Sequence, residues 1–276
     1  MLLRLSDLSP VSSVKGYILV AFKSYFDGGN QADSTQYKVL SLAAISGTGI
    51  HWADFERRWK KVLENHSAPW LHTTDAVSLQ GPFKEWDAGR VNAFISDCVT
   101  VMERCAAVRL GRKIVHPALR PVTISVVLRD FKRALQKIPL LGCPEHLCAI
   151  QAAACCLTYG KWLEYDKYQF FFDQNEPFYG HIKDRTCNRK SKRSSPTWNV
   201  VHLGESNMRD VPALQAADVL AWSVNHQSGV MREWQQRLLA IDRDQQWFNY
   251  ASLVKAKPED LEAIAAFELP PRRLMK

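Results

Sequence analysis

The sequence predicts an α/β protein whose mixed sheet is flanked by helices. Strand-like and helix-like segments alternate through the middle of the chain, as in α/β domains. No linker rich in Pro, Gly or Ser divides the 276 residues, which favours one domain over two. We expect a polar lead-in over 1–15 and a helical extension from about 230 to 276. The composition, 46% hydrophobic and 23% charged, excludes disorder, collagen and coiled-coil arrays.

The individual elements follow from hydrophobic period and turn signals. In the first half we predict strands over 17–26, 37–45 and 106–115 and helices over 51–65 and 87–105. The first two strands are expected to form a hairpin, with a turn beginning at Asp27. In the second half we predict strands over 168–173 and 197–203, helices over 127–136, 145–164, 176–185 and 212–226, and a loop over 186–196. Asn175 and Asp210 are the expected caps of the last two helices.

Charge and cysteine content narrow the classes of function. The net charge of +8, with a pI near 9.1, favours an acidic partner such as nucleic acid. Seven cysteines without a Cys-x-x-Cys pair suggest neither a disulfide framework nor a zinc ribbon. The sequence contains neither the dinucleotide-binding motif Gly-x-Gly-x-x-Gly nor the P-loop motif Gly-x-x-x-x-Gly-Lys-Ser/Thr, which disfavours hydride transfer and kinase chemistry. No apolar run is long enough for a signal peptide or a membrane span, so we expect a cytoplasmic protein.

Two predicted strands deliver a carboxylate at their carboxyl ends. Tyr25-Phe26-Asp27 ends one strand and Phe171-Phe172-Asp173 ends another. If these strands are parallel and adjacent, Asp27 and Asp173 lie side by side at the edge where open α/β sheets place their sites. Each residue also has a simpler interpretation, since Asp27 suits a turn and Asp173 suits a turn or a helix cap.

A third carboxylate, Asp218, stands in the middle of a predicted helix among small apolar residues. Buried carboxylates are usually paired or bound to metal, so an Arg partner or a backbone amide is the alternative to a functional role. Three converging carboxylates repel one another, and Mg²⁺ or Mn²⁺ relieves the repulsion because these ions prefer oxygen ligands. A pair of such ions can activate water and stabilise the leaving oxygen in phosphodiester hydrolysis.

The order of strand Asp, strand Asp and helix Asp resembles the ribonuclease H-like superfamily. More narrowly, the chain resembles the domain-of-unknown-function 3800 family of bacteria and their phages. Four segments carry this resemblance: Tyr25-Phe26-Asp27-Gly28-Gly29, Leu71-His72-Thr73-Thr74-Asp75, Phe172-Asp173-Gln174-Asn175-Glu176, and Glu205-Ser206 with Gln215-Ala216-Ala217-Asp218-Val219-Leu220-Ala221. The resemblance implies a ribonuclease H-like mixed sheet with helical insertions, and a metal site on Asp27, Asp173 and Asp218.

The chain departs from the family pattern at one place. The family opens with Asp-Glu-Ser-Gly, whereas Gly28 and Gly29 follow Asp27 here. Any role of that Glu is therefore absent or taken by another residue.

We expect a metal-dependent nuclease, a hydrolase of DNA or RNA. The alternatives are an inactive nucleic-acid-binding protein on the same fold and an interaction component of a phage or defence system.

Other acids and a histidine are candidates for the same site. Glu176 lies three residues after Asp173, although a first-turn acid also suits the helix dipole. His72 is a candidate proton donor or shuttle beside Asp75, although a lone His is often structural. Glu205 is a possible fourth carboxylate at a strand end, or a solvated one.

A basic stretch follows the Asp173 strand and its helix. The predicted contacts to a phosphate backbone are Lys183, Arg185, Arg189, Lys190, Lys192 and Arg193. The alternative is a solvated loop, which is the usual identity of such a run of charges. Tyr179, Trp198 and Trp222 are candidates to stack on bases, with core packing as the alternative.

Overall fold

The computed structural model describes residues 21–29, 39–110, 113–116, 118–187, 198–227 and 230–255. The described strands are β1 (Phe22–Gly29), β2 (Val39–Gly47), β3 (Val108–Leu110), β4 (Lys113–His116), β5 (Arg120–Val127), β6 (Tyr168–Asp173), β7 (Val200–Ser206) and β8 (Asp244–Phe248). The described helices are α1 (Gly49–His66), α2 (Thr73–Val77), α3 (Ala88–Cys105), α4 (Leu128–Leu135), α5 (Pro144–Trp162), α6 (Pro177–Cys187), α7 (Pro212–Asn225), α8 (Glu233–Ala240) and α9 (Tyr250–Lys255). The α/β class predicted from the sequence is confirmed.

The main sheet is mixed and has the strand order β7-β6-β1-β2-β5-β8. Strand β1 pairs antiparallel with β2, as the predicted hairpin requires, and parallel with β6 on its other side. Strands β7 and β8 run parallel to β6 and β5, and β2 runs opposite to the other five strands. The condition placed on the two Asp-bearing strands is therefore met, since β1 and β6 are parallel neighbours.

Aromatic pairs between β1 and β6 show how side chains alternate across the sheet. Phe26 stacks on Phe172 with ring centroids 4.6 Å apart, and both rings belong to the apolar core that includes α5. Tyr25 stacks on Phe171 at 4.9 Å, and this pair faces the second core, built by α1, α3 and α7. Successive strand residues point to opposite faces of a sheet. Asp27 and Asp173 therefore share the face of Tyr25 and Phe171, which α7 covers.

Three helices have the buried faces that their sequences predict. In α1 the buried residues are Trp52, Phe55, Trp59 and Leu63. Helix α3 begins after Asp87, whose side chain accepts a hydrogen bond from the backbone N–H of Arg90. Helix α5 is apolar almost all round and has buried residues on every side, so it forms the centre of one core.

Several boundary predictions were wrong. Asp27 does not begin a turn, because β1 stays paired with β2 as far as Gly29. The single strand predicted over 106–115 is two short strands, β3 and β4, in a separate two-stranded sheet. Helix α7 is preceded by Val211 rather than capped by Asp210. Asn175 has a left-handed backbone with φ of +66° and lies two residues before α6, so it is not the residue that precedes the helix.

Two strands of the main sheet were not predicted. Strand β5 begins at Arg120, a charged residue that is 0% exposed. Its guanidinium is paired with Asp242 and Asp244, at 2.9 and 3.0 Å, which satisfies a charge that would otherwise disfavour burial. Strand β8 is polar and lies at the sheet edge, inside the region expected to be only helical. Among the described residues, no helix has the length and apolar character needed to cross a membrane.

Candidate functional site

The ends of β1 and β6 bring Asp27 and Asp173 together. The register pairs Phe26 with Phe172, so the residues that follow them, Asp27 and Asp173, lie next to each other on neighbouring strands. Asp27 is 4% exposed, whereas Asp173 is partly exposed. One oxygen of Asp173, Oδ1, accepts a hydrogen bond of 2.8 Å from the backbone N–H of Met208. That bond fixes the carboxylate and leaves its second oxygen for a ligand.

Helix α7 brings the third carboxylate to the same place. The helix packs on β1 and β2, and Asp218 on it is only 7% exposed. Asp218 Oδ2 accepts bonds from the backbone N–H and the hydroxyl of Thr73, at 2.6 and 2.7 Å. Asp218 is therefore bonded to a backbone amide, as the alternative to a functional role predicted, but both of its bonds are accepted by Oδ2. Oδ1 is left as the oxygen that a ligand would use.

Gln215, one turn before Asp218, holds the surrounding segments in position. Its Oε1 accepts hydrogen bonds from Trp59 Nε1 at 2.8 Å and from the backbone N–H of Leu71 at 3.1 Å. Its Nε2 donates to the backbone carbonyl of Met208 at 3.0 Å. One buried carboxamide thus joins α1, the segment before Thr73, and the turn that bonds Asp173. Three parts of the chain far apart in sequence are fixed around the acids.

These residues open onto a cleft of about 740 Å³, a size within the usual range for ligand sites. Its walls include Asp27, Asp173, Glu176, Asp218 and His72. The structure therefore gathers five of the predicted site residues on one surface. Asp75 does not line the cleft; its Oδ2 bonds His72 Nδ1 at 2.9 Å.

Burial and mutual repulsion shift the acidity of the two most buried acids. Burial is the main cause that raises the pKa of Asp27 well above its ordinary value, and Asp218, Glu176 and Asp173 raise it further. The nearby Glu176 side chain raises it also through a hydrogen-bonding contribution, which is the smallest of these causes. Burial likewise raises the pKa of Asp218, although His72 and the Thr73 bonds oppose it. No Lys or Arg of the described residues pairs with Asp27, Asp173 or Asp218.

His72 lines the same cleft as these acids. Burial lowers the pKa of His72, but Asp218, Asp75 and Asp173 outweigh burial and raise it above the ordinary value. The imidazole therefore keeps its proton to a higher pH than an ordinary histidine does, and it lies on the cleft wall with the acids.

The remaining sequence candidates are placed differently. Glu205, in β7, accepts a hydrogen bond of 3.1 Å from the backbone N–H of Asn175, so it supports the loop before α6 and does not line the cleft. Lys183 is exposed on α6 and lies over the ring of Tyr179, 5.5 Å from its centroid. Arg185 is also on α6. The other four basic residues of the predicted stretch lie outside the described residues: Arg189, Lys190, Lys192 and Arg193.

Gly29, the second residue after Asp27, lies against α7. A Cβ atom on Gly29 would lie 1.8 Å from Asn225 Nδ2 and 3.6 Å from the carbonyl oxygen of Ala221. The α7 backbone is thus at an ordinary contact distance, and a side chain at position 29 would displace only the Asn225 side chain. One of the two departures from the family pattern therefore lies beside the helix that bears Asp218.

The donor set suits a hard divalent cation by its chemistry. It consists of carboxylate oxygens that repel one another, and such oxygens are the ligands that Mg²⁺ and Mn²⁺ prefer. Among the described residues, no three His, Cys, Asp or Glu side chains stand in a geometry that could hold a metal ion.

No protein-family model matches the chain, and no curated protein matches it significantly. The resemblance to the domain-of-unknown-function 3800 family therefore stays a prediction.

Sequence reasoning missed the residues that support the acids. Thr73 bonds Asp218, and the Met208 backbone N–H bonds Asp173. Gln215 holds the neighbouring segments. Thr73 and Gln215 stand within the segments that carry the family resemblance, and this was the available signal. Nothing in the local pattern around Met208 indicates that its amide binds a distant carboxylate.

Proposed function

We propose that the protein is a metal-dependent nuclease, a hydrolase of phosphodiester bonds in DNA or RNA, with a ribonuclease H-like fold. The observation that carries the proposal is the convergence of Asp27, Asp173 and Asp218 on one cleft. Each comes from a different element, and their neighbours raise the pKa of Asp27. An acid at the end of the first strand, one on a neighbouring parallel strand and one on a late helix are what the superfamily resemblance implies.

Asp27, Asp173 and Asp218 would hold one or two Mg²⁺ or Mn²⁺ ions, with Glu176 as a further candidate. A bound ion supplies charge neutralisation at the phosphate and an activated water molecule. The bonds from Thr73 and Met208 each hold one oxygen, so the carboxylates need little reorganisation to bind. His72 would give its proton to the leaving oxygen, while its bond to Asp75 fixes the ring.

The raised pKa of Asp27 gives the proposal a specific chemical consequence. In the absence of a cation, a proton on the buried Asp27 removes its repulsion with Asp218, Glu176 and Asp173. Because a carboxylate must be deprotonated to bind a metal ion, occupation of the site would release that proton. Cation affinity should therefore rise with pH through the raised pKa of Asp27.

The test is cleavage of labelled single- and double-stranded DNA and RNA in Mg²⁺ and in Mn²⁺. We expect Asp27→Asn and Asp218→Asn to lose about 100-fold or more of the activity, since the loss of even a supporting group at a metal site costs about 10- to 100-fold. Asp166→Asn is the matched control, because Asp166 is exposed and lies before β6, away from the cleft. Absence of metal-dependent cleavage of every substrate would refute the enzyme proposal.

A nucleic-acid-binding protein without catalysis is the second candidate. The observation that favours it is that the described His, Cys, Asp and Glu side chains form no ready metal site. It predicts binding that weakens with salt and is unchanged by a chelator, with no cleavage. A third candidate, an interaction component of a phage or defence system, predicts a stoichiometric protein partner and no retained nucleic acid.

A further inference from the structure

The cleft that contains the acids has an aromatic far end. Asp218 and Trp222 on α7 and His226, the residue directly after it, are spaced four residues apart, so they follow one side of the helix with a rise of about 6 Å between neighbours. The Trp222 and His226 rings are stacked, with centroids 3.9 Å apart and planes 11° apart. All three residues line the same cleft. Acids and stacked rings therefore succeed each other along one wall.

The aromatic column is anchored at one end and open at the other. Trp234 is 2% exposed, donates to Asn92 Oδ1 at 3.2 Å, and lies 5.8 Å from the Trp222 ring. The His226 ring, at the other end, is exposed, and its Nδ1 bonds the carbonyl oxygen of Trp222 at 2.8 Å. This bond fixes the ring plane parallel to Trp222. A flat, oriented π-surface is thus presented to the cleft.

Two polar groups beside the column suit a nucleotide. The guanidinium of Arg232 lies 5.6 Å from the Trp222 ring centroid and lines the cleft. Asn225 Oδ1, on the same wall, is buried and has no hydrogen-bond partner among the described residues. A buried acceptor without a donor costs free energy, and a donor from a ligand would remove that cost. The exocyclic amine or ring N–H of a base is such a donor.

We propose that the far end of the cleft holds an unpaired nucleobase stacked on His226, so that the substrate is single-stranded nucleic acid or a frayed strand end. This inference rests on the proposed function and specifies its substrate. The His226 ring lies about two helical turns, or about 12 Å, from Asp218, so a base stacked on it belongs to a nucleotide further along the strand than the phosphate at the acids. A base in a duplex is covered by its neighbours on both faces and does not stack on a protein ring without being extruded.

The test measures binding, not cleavage. Anisotropy titrations with a labelled 12-nucleotide single strand, and with the blunt duplex of the same sequence, are made in Ca²⁺ and in chelator. We expect the single strand to bind more tightly than the duplex. We expect His226→Ala to weaken single-strand binding about tenfold, which corresponds to the loss of one stacking contact. His226→Phe should retain the affinity, because the ring is kept while the Nδ1 bond is lost.

His202→Ala is the matched control. His202 is also exposed and also contacts an aromatic ring, that of Phe171 at 4.9 Å, but it does not line the cleft. The affinity of His202→Ala for the single strand should equal that of the wild type. Equal binding of single strand and duplex, or wild-type binding by His226→Ala, would overturn the inference even if the protein cleaves nucleic acid. A preference for single strands that depends on His226, without cleavage, would support the inference and count against the nuclease proposal.

Discussion

Helices α5 and α7 lie on opposite faces of the same sheet, and both are almost fully buried. Helix α5 belongs to a core of aliphatic, aromatic and cysteine side chains, whereas α7 carries Asp218 and Gln215 against β1 and β2. Each helix also buries one glutamine. Gln215 has hydrogen bonds on both ends of its amide, while Gln151 on α5 has no hydrogen-bond partner among the described residues.

The difference shows what buried polarity does on each face. On the α7 face, Gln215 and Asp218 have hydrogen-bond partners and fix the segments around the acids, so the free energy cost of their burial is offset by a defined arrangement of groups. On the α5 face, the polar amide positions nothing in the described residues and should only reduce stability. Substitutions at matched positions on the two helices test this comparison.

The largest expected effect is that of Gln215→Leu. The substitution leaves the Trp59 indole N–H and the Leu71 amide without their buried acceptor. Each orphaned donor costs about 1–3 kcal/mol, so we expect the free energy of unfolding to fall by about 3 kcal/mol. Urea denaturation followed by circular dichroism measures this change. An effect below about 1 kcal/mol would mean that the Gln215 network does not support the fold.

Asp27→Asn should change stability in the opposite direction. The native state raises the pKa of Asp27, so the stability associated with its proton is present at low pH and is lost as the pH rises through the raised value. Asparagine keeps the shape without this loss. Without divalent cations, we expect the variant to exceed the wild type by about 1 kcal/mol or more at pH 7, since one pKa unit corresponds to about 1.4 kcal/mol.

The pH dependence of this gain is its control. At pH 4, near the ordinary pKa of an aspartate, the variant and the wild type should have nearly equal free energies of unfolding. A variant that is less stable at pH 7, or a gain that does not depend on pH, would contradict the raised pKa of Asp27.

The smallest expected effect belongs to Gln151→Leu. Leucine removes a buried amide that has no partner in the described structure and adds apolar contacts within the α5 core. We expect the free energy of unfolding to rise by about 1 kcal/mol. Thermal unfolding in parallel with Gln215→Leu checks the comparison directly. A loss of stability in both variants would show that the two glutamines play equivalent structural parts.

The sequence predicted the strand acids and the helix acid because local patterns identify them. An apolar strand that ends in Asp, and an Asp inside a small apolar helix, can be recognised without tertiary information. The supporting contacts could not be found in this way, since Thr73 meets Asp218 across 145 positions of the chain. Strand β5 was missed for a related reason. Its buried Arg120 is acceptable only because Asp242 and Asp244 arrive from a distant segment.

The orientation of the site also depended on long-range pairing. Asp27 and Asp173 point to the same face because β1 and β6 pair in parallel register. From the sequence alone, this pairing was only an assumption. The aromatic column on α7 has a helical spacing that the sequence does contain. The sequence does not show that Trp234 and Arg232, from a later segment, pack beside this column.

The proposed divalent-cation site is formed by the acids where β1, β6 and α7 meet. Electron paramagnetic resonance of free Mn²⁺ tests it directly in the wild type, Asp27→Asn and Asp166→Asn, at pH 6 and pH 8. We predict saturable binding by the wild type that is tighter at pH 8, unchanged in Asp166→Asn, and at least about tenfold weaker in Asp27→Asn. Equal Mn²⁺ binding by the wild type and Asp27→Asn, or no binding by either at millimolar Mn²⁺, would contradict this proposal.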